Sequence, residues 1–452
     1  MNIVIIGAGK VGKKIVASLV EEKHNVTVID TNSARLSELA NSQDVMCVHG
    51  SGALYEIQDE ANVKNADVVI AVSPLDEINM IACLLASTLG AKRCIARVRN
   101  PEYSKQLEYI KDDLGLSMTV NPELLAASEI MRVLILPAAA NVESFANGRV
   151  ELVEFKVSET SPIVGKSLAE ISNMTKSNIL VCTAERDGKI IIPNGEFIPQ
   201  IGDKISVAAT HEEAELFFKK TGSSKIKIKS IMIVGGGRVG YYLAKQLTEI
   251  GMAVKIIERD YQRCVELSEL LSNVSIIHAD GSDHNILKEE GIETVDAFVA
   301  LTGLDEVNMI TSIYAQSKNV SKVIAKVTRG SYISMSDNIG LESIVSPKAL
   351  ASNSIISYVR AMKNSEQSNN VETIYKLFGD RVEALEFIVK ENASYIDVPL
   401  SRLSTKKDVL IASIVRNNKN IVPNGSDCIK IGDSVIVITT SSNLHELSEI
   451  FI

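Results

Sequence analysis

No apolar stretch in this chain approaches the roughly 20 residues that a helix needs to cross a bilayer. Val68 to Val72 is short, and Ile130 to Ala140 is interrupted by Arg132, so a membrane-spanning chain is not expected. Paired cysteines are missing too: Cys47, Cys83, Cys94, Cys182, Cys264 and Cys428 are scattered with no CxxC. That pattern fits a reducing compartment, offers no zinc site and makes the cytosol the expected address. Positive charge is not in surplus. A formal charge of -9 and a pI near 5.4 argue against a partner made of phosphate backbone or anionic lipid. The start, MNIVIIGAGKVG, has no basic leader or cleavage pattern and is read as part of the fold. No GxSxG, HExxH or Walker lysine motif occurs.

What is present is ordinary globular composition, 46% hydrophobic and 23% charged, over 452 residues, enough for about two to four domains. The sequence is also written twice. IVIIGAGKVG (3 to 12) returns as IMIVGGGRVG (231 to 240), and PLDEINMIACLLA (74 to 86) as GLDEVNMITSIYA (303 to 315). IARVRNPEY (95 to 103) returns as IAKVTRGSY (324 to 332), GRVELVEF (148 to 155) as DRVEALEF (380 to 387), and IPNGEFIPQIGD (192 to 203) as VPNGSDCIKIGD (422 to 433). So many ordered matches indicate tandem duplication of one two-part unit.

In the first unit Ile3 to Ile6, Val26 to Ile29, Val45 to Val48, Val68 to Val72 and Cys94 to Val98 read as strands separated by helix-length segments. Runs apolar on both faces, joined by crossover helices, predict a doubly wound parallel α/β sheet of Rossmann-like type. After a helix from about Pro122 to Leu136 the strands shorten, with a hairpin signal at Asp187-Gly188, so a small α+β domain is expected to follow each sheet. The domains are placed at 1–140, 141–222, 228–365 and 371–452, with polar breaks at 221–229 and 364–370. Each unit carries its own candidate pocket, and residues 1 to about 222 are expected to fold alone.

Gly7, Gly9, Lys10, Val11 and Gly12 follow the first strand and open a helix, and Asp30 ends the next strand. Gly235, Gly237, Arg238, Val239, Gly240 and Glu258 repeat the arrangement. In such a turn the first glycine permits the bend, the second admits a pyrophosphate and the third lets helix pack on strand, while the acid meets the ribose hydroxyls. An acid there favours NAD over NADP, although Arg259 weakens that exclusion in the second unit. Lys10 and Arg238 either reach a distal phosphate or are solvated first-turn side chains. His49 and His278 either contact adenine or sit at a loop edge. Asp76, Glu77 and Asn79, with Asp305, Glu306 and Asn308, read first as helix capping and only second as crevice residues. Arg97 and Lys326, at the fifth strand's end, are equally open to both readings.

A dehydrogenase needs an acid or base beside the nicotinamide, and none of the six histidines lies in a repeated polar cluster of the small domains. Duplication of the whole binding unit suits regulation better than catalysis.

The order GAGKVG, acidic strand end, DEINM, ARVRNPEY, then a small domain with PNG and IGD, resembles the TrkA family of Trk potassium-uptake regulatory proteins over essentially the whole chain. The resemblance implies two tandem regulator-of-potassium-conductance units. It implies a cytoplasmic subunit, peripheral to the inner face of the cell membrane, that docks on an integral-membrane potassium translocating subunit and gates it in response to NAD(H) or ATP/ADP. A ring of four chains is also implied. The glycines and acids above match the family's nucleotide motif. The family's Gly-Asp pair after the third strand is Gly50-Ser51 in the first unit and Ala279-Asp280 in the second, so the two pockets are expected to differ. An NAD-dependent oxidoreductase, a sensor for another ion transporter and a structural paralogue are the alternative readings.

Overall fold

A computed structural model describes residues 1–221, 227–336, 339–341, 343–366, 371–377, 381–390, 393–440, 444 and 446–452. Most of the 221–229 break and residues 367–370 of the 364–370 break therefore lie outside the described residues. The first sheet is built from β1 (Asn2–Ile6), β2 (Asn25–Asp30), β3 (Met46–His49), β4 (Val68–Ala71), β5 (Cys94–Arg97) and β6 (Leu116–Val120). Between and after these strands run α1 (Lys10–Glu21), α2 (Ser33–Ser42), α3 (Tyr55–Glu60), α4 (Asp76–Leu89), α5 (Pro101–Ile110) and α6 (Pro122–Ile135). Every pairing is parallel and the order is β3-β2-β1-β4-β5-β6. Ile3, Val4, Ile5 and Ile6 are all buried, as a central strand covered by helices on both faces requires. The order reverses between β1 and β4, which opens a crevice at the end of β1 where the glycine turn lies.

The small sheet that follows joins β7 (Asn141–Phe145), β8 (Val150–Lys156), β9 (Leu180–Arg186), β10 (Lys189–Ile191) and β11 (Lys204–Ala209), with α7 (Leu168–Thr175) and α8 (His211–Lys220) beside it. It is antiparallel, in the order β10-β9-β11-β8-β7. Asp187 (φ 51°) and Gly188 (φ 74°) make the β9–β10 hairpin turn.

The second unit repeats the plan with β12 (Ser230–Val234), α9 (Arg238–Glu249), β13 (Ala253–Glu258), α10 (Tyr261–Leu270), β14 (Val274–His278) and α11 (His284–Glu289). It continues through β15 (Ala297–Ala300), α12 (Asp305–Ser317), β16 (Lys322–Lys326), α13 (Gly330–Ser336), β17 (Ser343–Val345) and α14 (Pro347–Glu366). Its small sheet holds β18 (Val371–Leu377), β19 (Val382–Ile388), β20 (Val409–Arg416), β21 (Lys419–Ile421) and β22 (Ser434–Thr439). The strand orders match those of the first unit.

The repeated IGD motif has a structural explanation. Asp203 forms a two-point pair with Arg186, Nε to Oδ1 at 2.8 Å and Nη2 to Oδ2 at 2.7 Å, and Asp433 pairs with Arg416 at the same distances. Gly202 (φ 89°) and Gly432 (φ 88°) just before them take the left-handed turn that a side chain would strain.

Two contacts weld the units together. The inner faces of the small sheets share one core, Phe145, Leu152, Cys182 and Ala208 against Ala384, Ala412, Ile436 and Ile438. The last helix of each Rossmann-like domain is exchanged: Ala126, Ile130 and Val133 of α6 pack in the core of the second sheet beside Leu243 and Leu247, while Ala351, Ile355 and Val359 of α14 pack with Val11, Ile15 and Leu19 of the first. Burying each Val or Ile contributes about 1.5–3 kcal/mol, so each half completes the core of the other. This bears on the expectation that residues 1 to about 222 fold alone, because α14 is what covers the outer face of α1 in the full chain.

Candidate functional site

In each unit the chain leaves β1 or β12 through a glycine with positive φ, Gly7 at 113° and Gly235 at 107°. Their N–H groups bond the ends of β2 and β13, Gly7 to Ile29 O at 2.8 Å and Gly235 to Ile257 O at 2.9 Å. A Cβ on Gly12 would sit 1.9 Å from Gly7 O, and one on Gly240 2.4 Å from Gly235 O, so helix and turn are in backbone contact there. A Cβ on Gly9 or Gly237 meets nothing within 4 Å. Those two residues also stand as N-caps of α1 and α9 with no side-chain cap. Free helix N–H groups facing open space fit an anionic pyrophosphate, and this is the test a nucleotide must pass in each unit.

The strand-end acids hold the turns. Asp30 Oδ2 accepts from Ala8 N at 2.5 Å and Oδ1 from Asn32 N at 2.7 Å. Glu258 Oε2 accepts from Gly236 N at 2.6 Å and Oε1 from Asp260 N at 2.8 Å. Each carboxylate oxygen keeps a further lone pair for a ribose hydroxyl. Val11 and Val239 point into the core, so their part is to seat the helix.

Other candidates divide into two groups. Asn79 and Asn308 are fully buried and spent on backbone: Asn79 Oδ1 accepts from Ser73 N at 2.8 Å and its Nδ2 donates to Arg97 O at 2.8 Å, while Asn308 does the same with Thr302 N and Lys326 O. Asp76 lies in the first turn of α4, where an acid offsets the helix dipole, but its carboxylate is spent on another loop and not on capping its own helix. It accepts from Arg99 N at 2.8 Å and Asn100 N at 2.9 Å, and Asp305 accepts from Thr328 N and Arg329 N, tying the loop after the fifth strand to the start of the fourth helix. His49 and His278 are exposed, each with Nε2 about 3 Å from a carbonyl, Thr31 O or Arg259 O. Gly50 N bonds Asp30 O at 3.0 Å, Ser51 Oγ accepts from Ala53 N at 3.4 Å, and Asp280 turns into its own loop to accept from Ser282 N at 2.9 Å.

The second group is cationic. Lys10 and Arg238 are exposed at the helix starts and, among the described residues, make no hydrogen bond or ion pair. Arg97 donates to Ser73 O and Lys326 to Leu301 O, both at the ends of the fourth strands. Burial, reinforced by Arg99, lowers the Arg97 guanidinium to about 10, with Arg238 of the other unit adding to the effect. Burial also lowers Lys326 and Lys348, and Lys348 is further lowered by Lys10 across the interface. Arg97, Lys326 and Lys348 thus gather between the two crevices, with the carboxylates of Asp76, Glu123 and Asp305 acting on them in turn.

Several residues were missed in the sequence. Asn121 Nδ2 donates to Tyr242 OH at 2.9 Å, and Gln246 Nε2 to Ser128 Oγ at 3.0 Å, fastening α6 to α9. Arg263 Nε donates to Gly236 O at 2.8 Å inside the second turn. Its counterpart Arg35 lies 4.0 Å from Asp30. An arginine at the third position after the cap in both units was a readable signal. A cleft of about 1120 Å³ opens on the second turn, walled by Gly237, Arg238, Tyr241 and Arg263 on one side and Asn100 and Tyr103 of the first unit on the other. Among the described residues no His, Cys, Asp and Glu group could hold a metal ion, and no helix is long and apolar enough to cross a membrane.

The TrkA-N domain model matches residues 3–122 and 231–347, and the TrkA-C domain model residues 152–222 and 384–452. Trk system potassium uptake protein TrkA homolog 1 of Methanosarcina mazei is 32% identical over 459 residues, with all of both chains covered. Trk system potassium uptake protein TrkA of Haemophilus influenzae is 30% identical, covering 100% of this chain and 98% of its own. Among solved structures, the GsuK RCK domain superposes with a TM-score of 0.63 at 17% identity over 97% of this chain and 92% of its own. The GsuK channel bound to NAD gives 0.63 at 18% over 97% and 77%. These last likenesses establish the RCK fold.

Proposed function

The chain belongs to the TrkA family, and from that premise we propose that it is the cytosolic, nucleotide-sensing subunit of a Trk-type potassium uptake system. It docks on an integral-membrane potassium translocating subunit and gates it through domain rearrangement driven by NAD(H), ATP or ADP. The observation that carries this reading is that both open glycine turns begin helices, α1 and α9, which are clamped by the helices exchanged between units. A ligand at either turn therefore bears on the contact that sets how the halves sit. It shifts that arrangement to the extent that it binds one state better than another.

In this reading Gly7, Gly9, Gly12, Gly235, Gly237 and Gly240 receive the phosphates, Asp30 and Glu258 the ribose, and Lys10 and Arg238 the distal charge. The loops at Gly50-Ser51 and Asp280 border the adenosine end, while Arg97 and Lys326 supply positive charge from below. Domains at 1–140, 141–222, 228–365 and 371–452, four chains in a closed ring and a regulatory rather than catalytic role complete the proposal.

The test is titration of the full chain with NADH, ATP and ADP, together with co-purification from membranes that contain a potassium translocating subunit. Two mutually competing nucleotides per chain and recovery of that subunit are expected. A chain that binds none of the three, or that turns over nicotinamide with a small substrate, would contradict it.

A further inference from the structure

We propose that the two pockets select different nucleotides because the exchanged helices bring opposite charges to them, Lys348 making the first a polyphosphate site and Glu123 making the second a dinucleotide site. This rests on the nucleotide-binding reading above.

Each exchanged helix runs along the glycine-turn helix of the other unit in the same direction. On the first pocket, Val359 at the far end of α14 packs near α1, and Arg360 pairs with Glu22 at 2.6 Å where α1 ends. The start of α14 therefore falls at the start of α1, and Lys348 acts on Lys10. On the second pocket, Asn121 meets Tyr242 and Ser128 meets Gln246 further along. The start of α6 falls at the start of α9, where Glu123 acts on Tyr242. Asn121-Pro122-Glu123 and Ser346-Pro347-Lys348 occupy the same place in the duplicated plan. The duplication has thus reversed one charge at the position that meets the opposite glycine turn.

The consequence follows from ligand chemistry. ATP ends in a free terminal phosphate, whereas both ends of the NAD pyrophosphate are esterified, so ATP presents more negative charge at the helix start. In the first pocket Lys10 and Lys348 both meet it. In the second, Arg238 lies beside Arg97, and Glu123, whose Oε2 accepts no hydrogen bond among the described residues, offsets the charge of Arg97 and of Lys326 there. A charge-assisted hydrogen bond gained in one pocket and opposed in the other should separate the ATP-to-NADH affinity ratios of the two by about tenfold or more.

The experiment isolates each pocket in the full chain. Gly9 and Gly237 have backbone angles any residue adopts and open space beyond the Cβ, so Gly9→Leu or Gly237→Leu fills one turn without straining it. Calorimetry with ATP and NADH on Gly237→Leu reads the first pocket, and on Gly9→Leu the second. The ATP-to-NADH ratio is expected to be at least tenfold higher in the first. Lys348→Glu in the first background should lower it about tenfold, and Glu123→Lys in the second should raise it about tenfold. Lys348→Gln, the neutral variant, gives an intermediate shift and guards against a folding defect, checked by thermal melting. Equal ratios that neither substitution moves, with both nucleotides still bound, would overturn the charge assignment while leaving nucleotide sensing intact. Loss of all binding in the unmodified chain would instead defeat the underlying reading.

Discussion

Arg360 Nη2 lies 2.6 Å from Glu22 Oε1, joining the later part of α14 in the second half of the chain to the residue that closes α1 in the first. Both side chains are largely buried. Burial alone would push the Glu22 carboxyl up, but His24 and Arg360 together hold it below its ordinary value. A carboxylate lowered in the folded state contributes stability above its unfolded value, near pH 4.3, which is lost as the pH falls through the folded one. Arg360→Met should cost about 2 kcal/mol at pH 7, the scale of a hydrogen bond to a charged group. The difference from the parent chain should shrink below pH 4. Denaturant unfolding at pH 7 and pH 3.5 checks both.

Glu143 on β7 behaves in the opposite sense. Burial, with the adjacent charge of Glu129 adding to it, pushes its carboxyl up to about 8. An acid raised in the folded state favours folding fully below its unfolded value, and that advantage is lost as the pH climbs toward 8. Glu143→Gln should therefore flatten the fall in melting temperature between pH 5 and pH 8.5. A series of melts across that range would show an unchanged slope if Glu143 ionises freely.

Asp30 and Glu258 each hold a glycine turn by a single short bond, and each is the ribose partner in the proposed pocket. Asp30→Ala should weaken NADH, ATP and ADP together at the first pocket, by about tenfold or more for a lost bond to a charged acceptor. Glu258→Ala should do the same at the second. Calorimetry in which one nucleotide is spared would assign the acid to the turn alone.

The helix exchange makes a prediction about fragments. Residues 1–221 carry α1 with its outer face uncovered and α6 without the α9 face on which Ala126, Ile130 and Val133 pack. Two copies can satisfy both by setting the α6 of one on the α1 of the other, which is the arrangement already present within the chain. The fragment should be a dimer by light scattering at micromolar concentration. A stable monomer would mean that α6 folds back on its own sheet.

Much of this molecule is legible in its sequence alone. The duplication, the parallel sheets and the glycine turns could be read because backbone geometry admits few residues at Gly7, Gly12, Gly235 and Gly240. The hairpin at Asp187-Gly188 could be read for the same reason. The exchange of α6 and α14 could not, because an amphipathic pattern states that a face is buried and not which partner buries it. The sequence points Asp76 and Asp305 to helix capping because a cap is local in sequence, whereas their partners at 99–100 and 328–329 lie a strand away. For the same reason the charges at 123 and 348 gained meaning only once the helices bearing them were seen beside the opposite turn.

If nucleotides at these turns control a potassium pathway, potassium flux reports it. The full chain would be reconstituted with a Trk-type translocating subunit in vesicles, and potassium uptake followed with ATP, ADP or NADH added. Uptake is expected to differ between nucleotides and to lose that dependence in the Gly9→Leu, Gly237→Leu double variant, which still co-purifies with its partner. Uptake indifferent to every nucleotide, or equally responsive when both turns are filled, would contradict it.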